Sequence, residues 1–250
     1  LGTDRLATAY NMEGRAMTEE RKRDYDWHRH YYKGRIGLAV LLEDELAQVA
    51  ETIGRMRPRL TRVVLARTGD DLPNEWPQHL DKHELLPPLP EDLNEWEKPT
   101  QAIARGYERL AAMAAEFDDV DWWVFLLGDT VLLHEYGIES IIAATEAVEA
   151  DAAVAQALGQ EFHAADLTEE DLKDGKTGGR LQEEGTLDFL PHLFVVRHGV
   201  VKIGMLSAIP LANRWNIEEC LGKTLEAAQL YVFSSEAFGF TDGVVYNARY

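Results

Sequence analysis

The residue best suited to chemistry lies in Asp121-Trp-Trp-Val-Phe-Leu-Leu-Gly-Asp-Thr-Val-Leu-Leu-His134. The run Trp122 to Leu127 is aromatic and apolar, has high β-propensity, and is too short for a buried helix. Gly128-Asp129 then breaks it. A central strand that ends on an acid sets a carboxylate at the carboxyl edge of a sheet, where open α/β folds bind their ligands. Asp129 is therefore the leading candidate for holding a metal or handling phosphate. The same side chain would equally serve as the local acceptor that makes the turn after a core strand.

Other arrangements carry less. His28 and His30 have the spacing of a metal pair on a strand, but their neighbourhood offers no further ligands. The two Gly-Lys-Thr tripeptides, at Gly175 and Gly222, both fail the phosphate-loop pattern. It needs a glycine five residues earlier, and those positions hold Glu170 and Ile217. No Gly-x-Gly-x-x-Gly follows the first strand, and Gly-x-Ser-x-Gly and His-Glu-x-x-His are also missing. Dehydrogenase, phosphate-loop kinase, serine hydrolase and zinc protease readings lose ground together.

The 250 residues suffice for one large α/β domain. The single cysteine, Cys220, excludes an intrachain disulfide framework and a cysteine-based zinc site. No apolar run approaches the length of a membrane span and the N-terminus has no signal-peptide pattern, so a cytoplasmic location is expected. A net charge of −19 argues against nucleic acid or anionic membrane as partners. Residues 1–35 carry 8 Lys/Arg against 6 Asp/Glu, while residues 36–250 carry 17 against 38. So acidic a body needs a cation or a local basic pocket to hold an anionic substrate.

The elements that must position Asp129 follow from periodicity. Residues 1–34 read as a polar arm or helix that packs Tyr25, Trp27 and Tyr31 on the main domain. Arg35–Leu42 reads as a buried strand, followed by an amphipathic helix with Leu46, Val49, Ala50, Ile53 and Met56 on one face. Pro58 ends that helix, and Thr61–Arg67 is a second strand, which completes a βαβ unit. Glu84-Leu-Leu is a short edge strand. Pro99 is expected at the first position of a helix, whose apolar stripe is Ile103, Tyr107, Leu110, Ala111, Ala114 and Phe117. That helix feeds the 122–127 strand, and a further helix is expected over 138–148. Beyond it, Ala152–Leu158 and Tyr231–Phe233 read as strands, Phe189–Val201 as a β-prone run, and Gly175–Arg180 as a mobile loop. Asn216-Ile-Glu-Glu219 has capping-box chemistry at a helix start.

In layout the chain resembles glycosyltransferases of the GT-A fold. The residues that carry the likeness are the βαβ start, the helix at Lys98-Pro-Thr-Gln-Ala-Ile-Ala-Arg-Gly-Tyr, and the strand ending Leu127-Gly-Asp-Thr130. The 121–133 run is also similar to the corresponding strand of fringe-type transferases. Asn213-Arg-Trp-Asn-Ile-Glu-Glu-Cys-Leu-Gly222 is similar to the acidic helix start that carries the base in inverting members. The resemblance implies a Rossmann-type sandwich with a mostly parallel central sheet flanked by helices. The resemblance covers roughly residues 35–245 and implies a single domain over 35–250, with a nucleotide-binding part at about 35–135 and an acceptor-side part at about 136–250.

It further implies transfer of a sugar from a nucleotide-diphosphate sugar to a glycan or small-molecule acceptor. A divalent cation, Mn²⁺ or Mg²⁺, would sit on Asp129. Glu43, Asp70, Asp71 and Lys98 are then the candidates at the nucleotide end. Glu218 and Asp242 are the candidates for the base, while capping accounts for Glu219. The chain departs from the pattern at Gly128, where an acid is usual, and has no histidine after position 198. Asp242 and Asn247 are the oxygen donors available instead. Rival readings are a catalytically inactive GT-A-like binding module and a nucleotidyltransferase on a similar sheet. Homo-oligomerisation is left open.

Overall fold

A computed structural model describes residues 31–42, 46–68, 72, 76–89, 91, 97–128, 130–132, 136–147, 149–155, 178–180, 193–202, 230–233 and 245–247. In chain order the elements are β1 (Ile36–Leu42), α1 (Leu46–Met56), β2 (Arg62–Arg67), β3 (Lys82–Leu85), α2 (Glu97–Ala114), β4 (Trp122–Leu127) and β5 (Thr130–Leu132). They continue as α3 (Gly137–Ala147), β6 (Ala152–Ala155), β7 (Gly178–Arg180), β8 (Leu193–Arg197), α4 (His198–Lys202), β9 (Leu230–Phe233) and β10 (Val245–Asn247).

Eight of the described strands form one sheet in the order β3-β2-β1-β4-β8-β6-β9-β7. The pairs β1–β2, β2–β3, β1–β4 and β6–β9 are parallel. The pairs β4–β8, β6–β8 and β7–β9 are antiparallel. The sheet is therefore mixed, and the expected parallel character holds fully only among β1, β2, β3 and β4. The strands β5 and β10 form a separate antiparallel ladder.

All six residues of β4 are buried, as is every residue of β1. Continuous apolar runs of this kind are what a strand covered on both faces requires. Alternation deals their side chains to two layers. Trp123, Phe125 and Leu127 join Leu41, Val64 and Tyr107, Leu110 and Met113 of α2 in one cluster. Trp122, Val124 and Leu126 join Leu38 and Val63 with Val49, Ile53 and Met56 of α1 and Ile141 and Ile142 of α3 in the other. The three layers are thus α1 with α3, the sheet, and α2. From β1 the chain steps outward to β2 through α1, whereas α2 carries it back across the sheet to β4. Crossovers of one hand that run in opposite directions put their helices on opposite faces, as the two clusters record.

The reversal at β8 is held by aromatics. Phe125 and Phe194 are register partners across β4 and β8, and their rings stack at 4.8 Å. Tyr107 meets both edge-on, at 6.3 Å and 5.4 Å, an arrangement that ring quadrupoles favour.

Three sequence expectations need correction. Pro99 is the third residue of α2 rather than its first, still within the turn whose N–H groups lack helical acceptors. The 189–201 run ends as strand at Arg197 and turns into α4 at His198. The His198 N–H still bonds the carbonyl of Asp121 at 2.9 Å, in the register of the β4–β8 ladder, before the chain turns into the helix. Gly178–Arg180, read as loop, is an edge strand on β9. Of the strand expected over Ala152–Leu158, Ala152–Ala155 is strand, and residues 156–158 lie outside the described residues. Among the described residues no helix is long and apolar enough to cross a membrane.

Two glycines give opposite expectations. A Cβ on Gly37 would lie 2.5 Å from the ring of Trp123, whose side chain is fully buried. Gly37→Ala should therefore cost about 1–3 kcal/mol through overpacking. A Cβ on Gly54, within α1, meets nothing within 4 Å, so Gly54→Ala should stabilise by roughly 0.5–1 kcal/mol. Urea midpoints at unchanged slope would register both shifts; a neutral Gly37→Ala would refute the close-packing argument.

Candidate functional site

The parallel half of the sheet fixes where a ligand belongs. Strand order reverses between β1 and β4, with β2 and β3 on one side and β8 on the other. In open α/β sheets the crevice beyond the carboxyl ends at such a switch point is the ligand site. Three chain exits are tied together there by backbone bonds. The Gly128 N–H donates to the Leu41 carbonyl at 2.8 Å, that of Thr68 to Leu42 at 3.1 Å, and that of Leu86 to Arg67 at 2.8 Å.

The candidate acids follow these exits in sequence: Glu43 after Leu42, Asp70 and Asp71 shortly after Thr68, and Asp129 after Gly128. Glu43, Asp70, Asp71, Asp129, Glu218 and Asp242 themselves lie outside the described residues. Lys98 is the second residue of α2. What the described backbone brings together is therefore the frame around Glu43, Asp70 and Asp129. For Glu218 and Asp242 it offers no such frame.

The ladder of β5 and β10 adds a link that spacing alone could not supply. Thr130 pairs with Asn247, Val131 with Tyr246 and Leu132 with Val245. Asn247 thus sits opposite the residue that follows Asp129. A carboxylate, an amide oxygen and water form the hard, all-oxygen donor set that Mg²⁺ accepts. Among the described residues, no three His, Cys, Asp or Glu side chains converge as a metal group.

Beside the exits, at the ends of β2 and β3, lies a cavity of about 290 Å³ lined by Thr68, Leu86, Pro87, Leu89, Ala102 and Arg105. Sequence reasoning missed Arg105 because it falls off the apolar stripe of α2 and reads as a solvent-facing charge. The available signal was the pairing of Pro87-Pro88 with a helix whose flank alternates Ala102 and Arg105. Arg67, at the last position of β2, is only 6 % exposed, so the carboxyl edge buries a guanidinium as well.

The amino edge is built differently. Arg35 grips Asp121 through Nη2 at 2.6 Å and Nε at 3.3 Å, and the Tyr32 hydroxyl donates to the same carboxylate at 3.1 Å. With the Arg35 side chain as the chief cause, the carboxyl is held down at about 2. Arg62 bonds both Asp119 and Asp81, and Arg197 pairs with Asp151 at 3.1 Å. The Tyr31 ring stacks on Tyr136 at 4.6 Å, which accounts for the last part of the expected arm packing. Tyr25, Trp27, His28 and His30 lie outside the described residues. These ion pairs lock the amino edge of the sheet.

No protein-family model matches this chain, and no curated protein matches it. Its functional reading rests on the fold and the residues.

His198 is the titratable device at the amino edge. The fully buried Trp123 indole N–H donates to its Nδ1 at 3.1 Å, so Nδ1 must keep its lone pair and the proton belongs on Nε2. Burial, then the charge of Lys202, pushes the imidazole below its ordinary value. The unfolded chain therefore takes up the proton first as pH falls. This contribution to stability is present above about pH 6.5 and is lost as pH drops toward the lower folded value. Denaturation at pH 8, 6 and 5 should show a loss in the wild type that His198→Asn, which keeps an acceptor but cannot titrate, reduces. Equal pH dependence in both chains would rule out His198 as its source.

Proposed function

We propose that this chain transfers a sugar from a nucleotide-diphosphate sugar to an acceptor at the β1–β4 switch point, with Asp129 at the diphosphate. The supporting observation is the hydrogen bond from Gly128 to Leu41. It ties the chain to the carboxyl edge of β1 one residue before Asp129, and the β5–β10 ladder fixes it again one residue after. The two anchors bracket Asp129 in sequence at the edge where the fold's ligands bind, and that bracketing supports the choice of this residue.

The chemistry asked of the site is charge handling. A departing nucleoside diphosphate gathers negative charge as the glycosidic bond breaks, and a divalent cation held by Asp129 and Asn247 would offset it. The chain's own residues bind and orient the donor, with Glu43, Asp70, Asp71 and Lys98 at its nucleotide end. Glu218 or Asp242 would take the proton of the acceptor hydroxyl in an inverting reaction. The nucleotidyltransferase reading needs a basic loop for a triphosphate near 43–58. Of the two arginines there, Arg57 is committed to Asp81, which bonds β2 at its amino end.

Melting with nucleoside diphosphates and nucleotide-sugars, with and without Mn²⁺, tests the reading. A ligand at a hundred times its Kd adds about 2.7 kcal/mol, or about 5–10 °C in Tm for a chain of this size. The increase should need Mn²⁺ and vanish in Asp129→Ala. No shift with any nucleotide, or equal shifts in both chains, would sink it. Binding of a nucleotide-sugar with neither hydrolysis nor transfer would assign the chain to the inactive binding modules instead.

A further inference from the structure

We propose that the cavity between α1 and the β2–β3 connection is a second ligand site, which takes a small uncharged aromatic molecule of one or two rings. It does not depend on the nucleotide reading. Leu80 in its wall adjoins Asp81, which bonds the amino end of β2, whereas the Gly128 turn lies at the carboxyl edge. Three observations carry the assignment.

The first is a gap in the helical layer. From β1 to β2 and from β2 to β3 the chain steps outward to a parallel neighbour. Crossovers of one hand then put both connections on the same face. The first connection is α1, but the second has, among its described residues, only one 3₁₀ turn, Pro77–His79. Trp76 and Leu80 pack there on the core that α1 also covers. They leave a cavity of about 340 Å³ beside α1. Both walls are tied down. The His79 N–H donates to the Trp76 carbonyl at 3.0 Å, and Arg57, just after α1, bonds Asp81 at 3.2 Å.

The second is Gly54. It lies within α1, where glycine gives up stability relative to alanine, and a Cβ on it meets nothing within 4 Å. With Ala50 one turn earlier, it leaves little side chain between the helix backbone and the cavity. Ile53 and Trp76, 3 % and 9 % exposed, form the floor. A flat ring can lie on this helix flank and meet the Trp76 indole, a contact that gains beyond burial alone.

The third is the chemistry of the lining. Among the described residues that line the cavity there is no carboxylate, lysine or arginine. Gln78 and His79, on the exposed rim, are its polar side chains. An ion buried there would go unpaired, whereas a neutral ring with one polar atom has an amide and an imidazole to bond. An apolar cavity of about 150 Å³ is enough for benzene, so the volume here suits two fused rings.

Fluoroindole observed by fluorine NMR tests the site on the full chain, with indole and indoleacetate as competitors. Wild type should bind fluoroindole with a Kd of about a millimolar or tighter, ordinary for so few atoms. Indole should compete about tenfold better than indoleacetate, whose carboxylate would lack a partner. Gly54→Leu puts a side chain into the cavity from an exposed helix position and should abolish the binding. Its Tm should not fall, since leucine is the better helix former. Ala50→Leu obstructs the same space if Gly54→Leu does not fold. No binding by wild type at millimolar fluoroindole, unchanged binding in the folded variants, or a preference for indoleacetate overturns the proposal. Binding that appears only in Trp27→Ala overturns it too, and assigns the cavity to the chain's own N-terminal segment.

Discussion

Strand β4 is bounded on both edges, by β1 and β8, and on both faces, by α2 and by α1 with α3. No water reaches its backbone, so its polar groups must be paired within the sheet. This constraint fixes the register of β1 and β8 to it residue by residue. A slip of one position would exchange Trp122, Val124 and Leu126 with Trp123, Phe125 and Leu127 between two packed layers. The position of the turn after β4 is therefore set by the core of the molecule rather than by its surface, and the carboxyl edge inherits that rigidity.

The same burial explains what was legible in the sequence. The bounds of β4 could be read to the residue, because an unbroken apolar run closed by Gly-Asp has few alternative structures. The β1–α1–β2 unit was nearly as clear, since period 3.6 between two β-branched runs is a strong local signal. Reversals were not legible. Nothing in Leu193–Arg197 distinguishes a strand that runs with β4 from one that runs against it. That choice depends on Phe194 meeting Phe125 and Tyr107, residues far apart in the chain. The three-residue strands β5, β7 and β10 were invisible for a related reason. Segments this short have no period of their own, and only their partners make them strands.

The candidate site was legible as a list of acids after strands, but not as a geometry. That Glu43 and Asp129 follow neighbouring exits depends on β1 pairing with β4 across 80-odd residues. That Asn247 falls opposite Thr130 depends on the tail returning to the crevice. Arg105 shows the converse. Helix periodicity assigned it to solvent, and its distinction from Arg109 appears only when Glu84 is seen to reach one and not the other.

Charge ties these features to the proposed activity. Fields from exposed carboxylates fall off over about 8 Å at physiological ionic strength, so the net −19 acts on a bound diphosphate mainly through its near neighbours. On the proposed reading, Asp129 without a cation would repel such a ligand. Its presence favours phosphate only if a cation stands between the two, so the metal and the diphosphate must each strengthen binding of the other. On this reading the diphosphate is held by a cation that links like charges, so its binding should weaken steeply when the metal is removed.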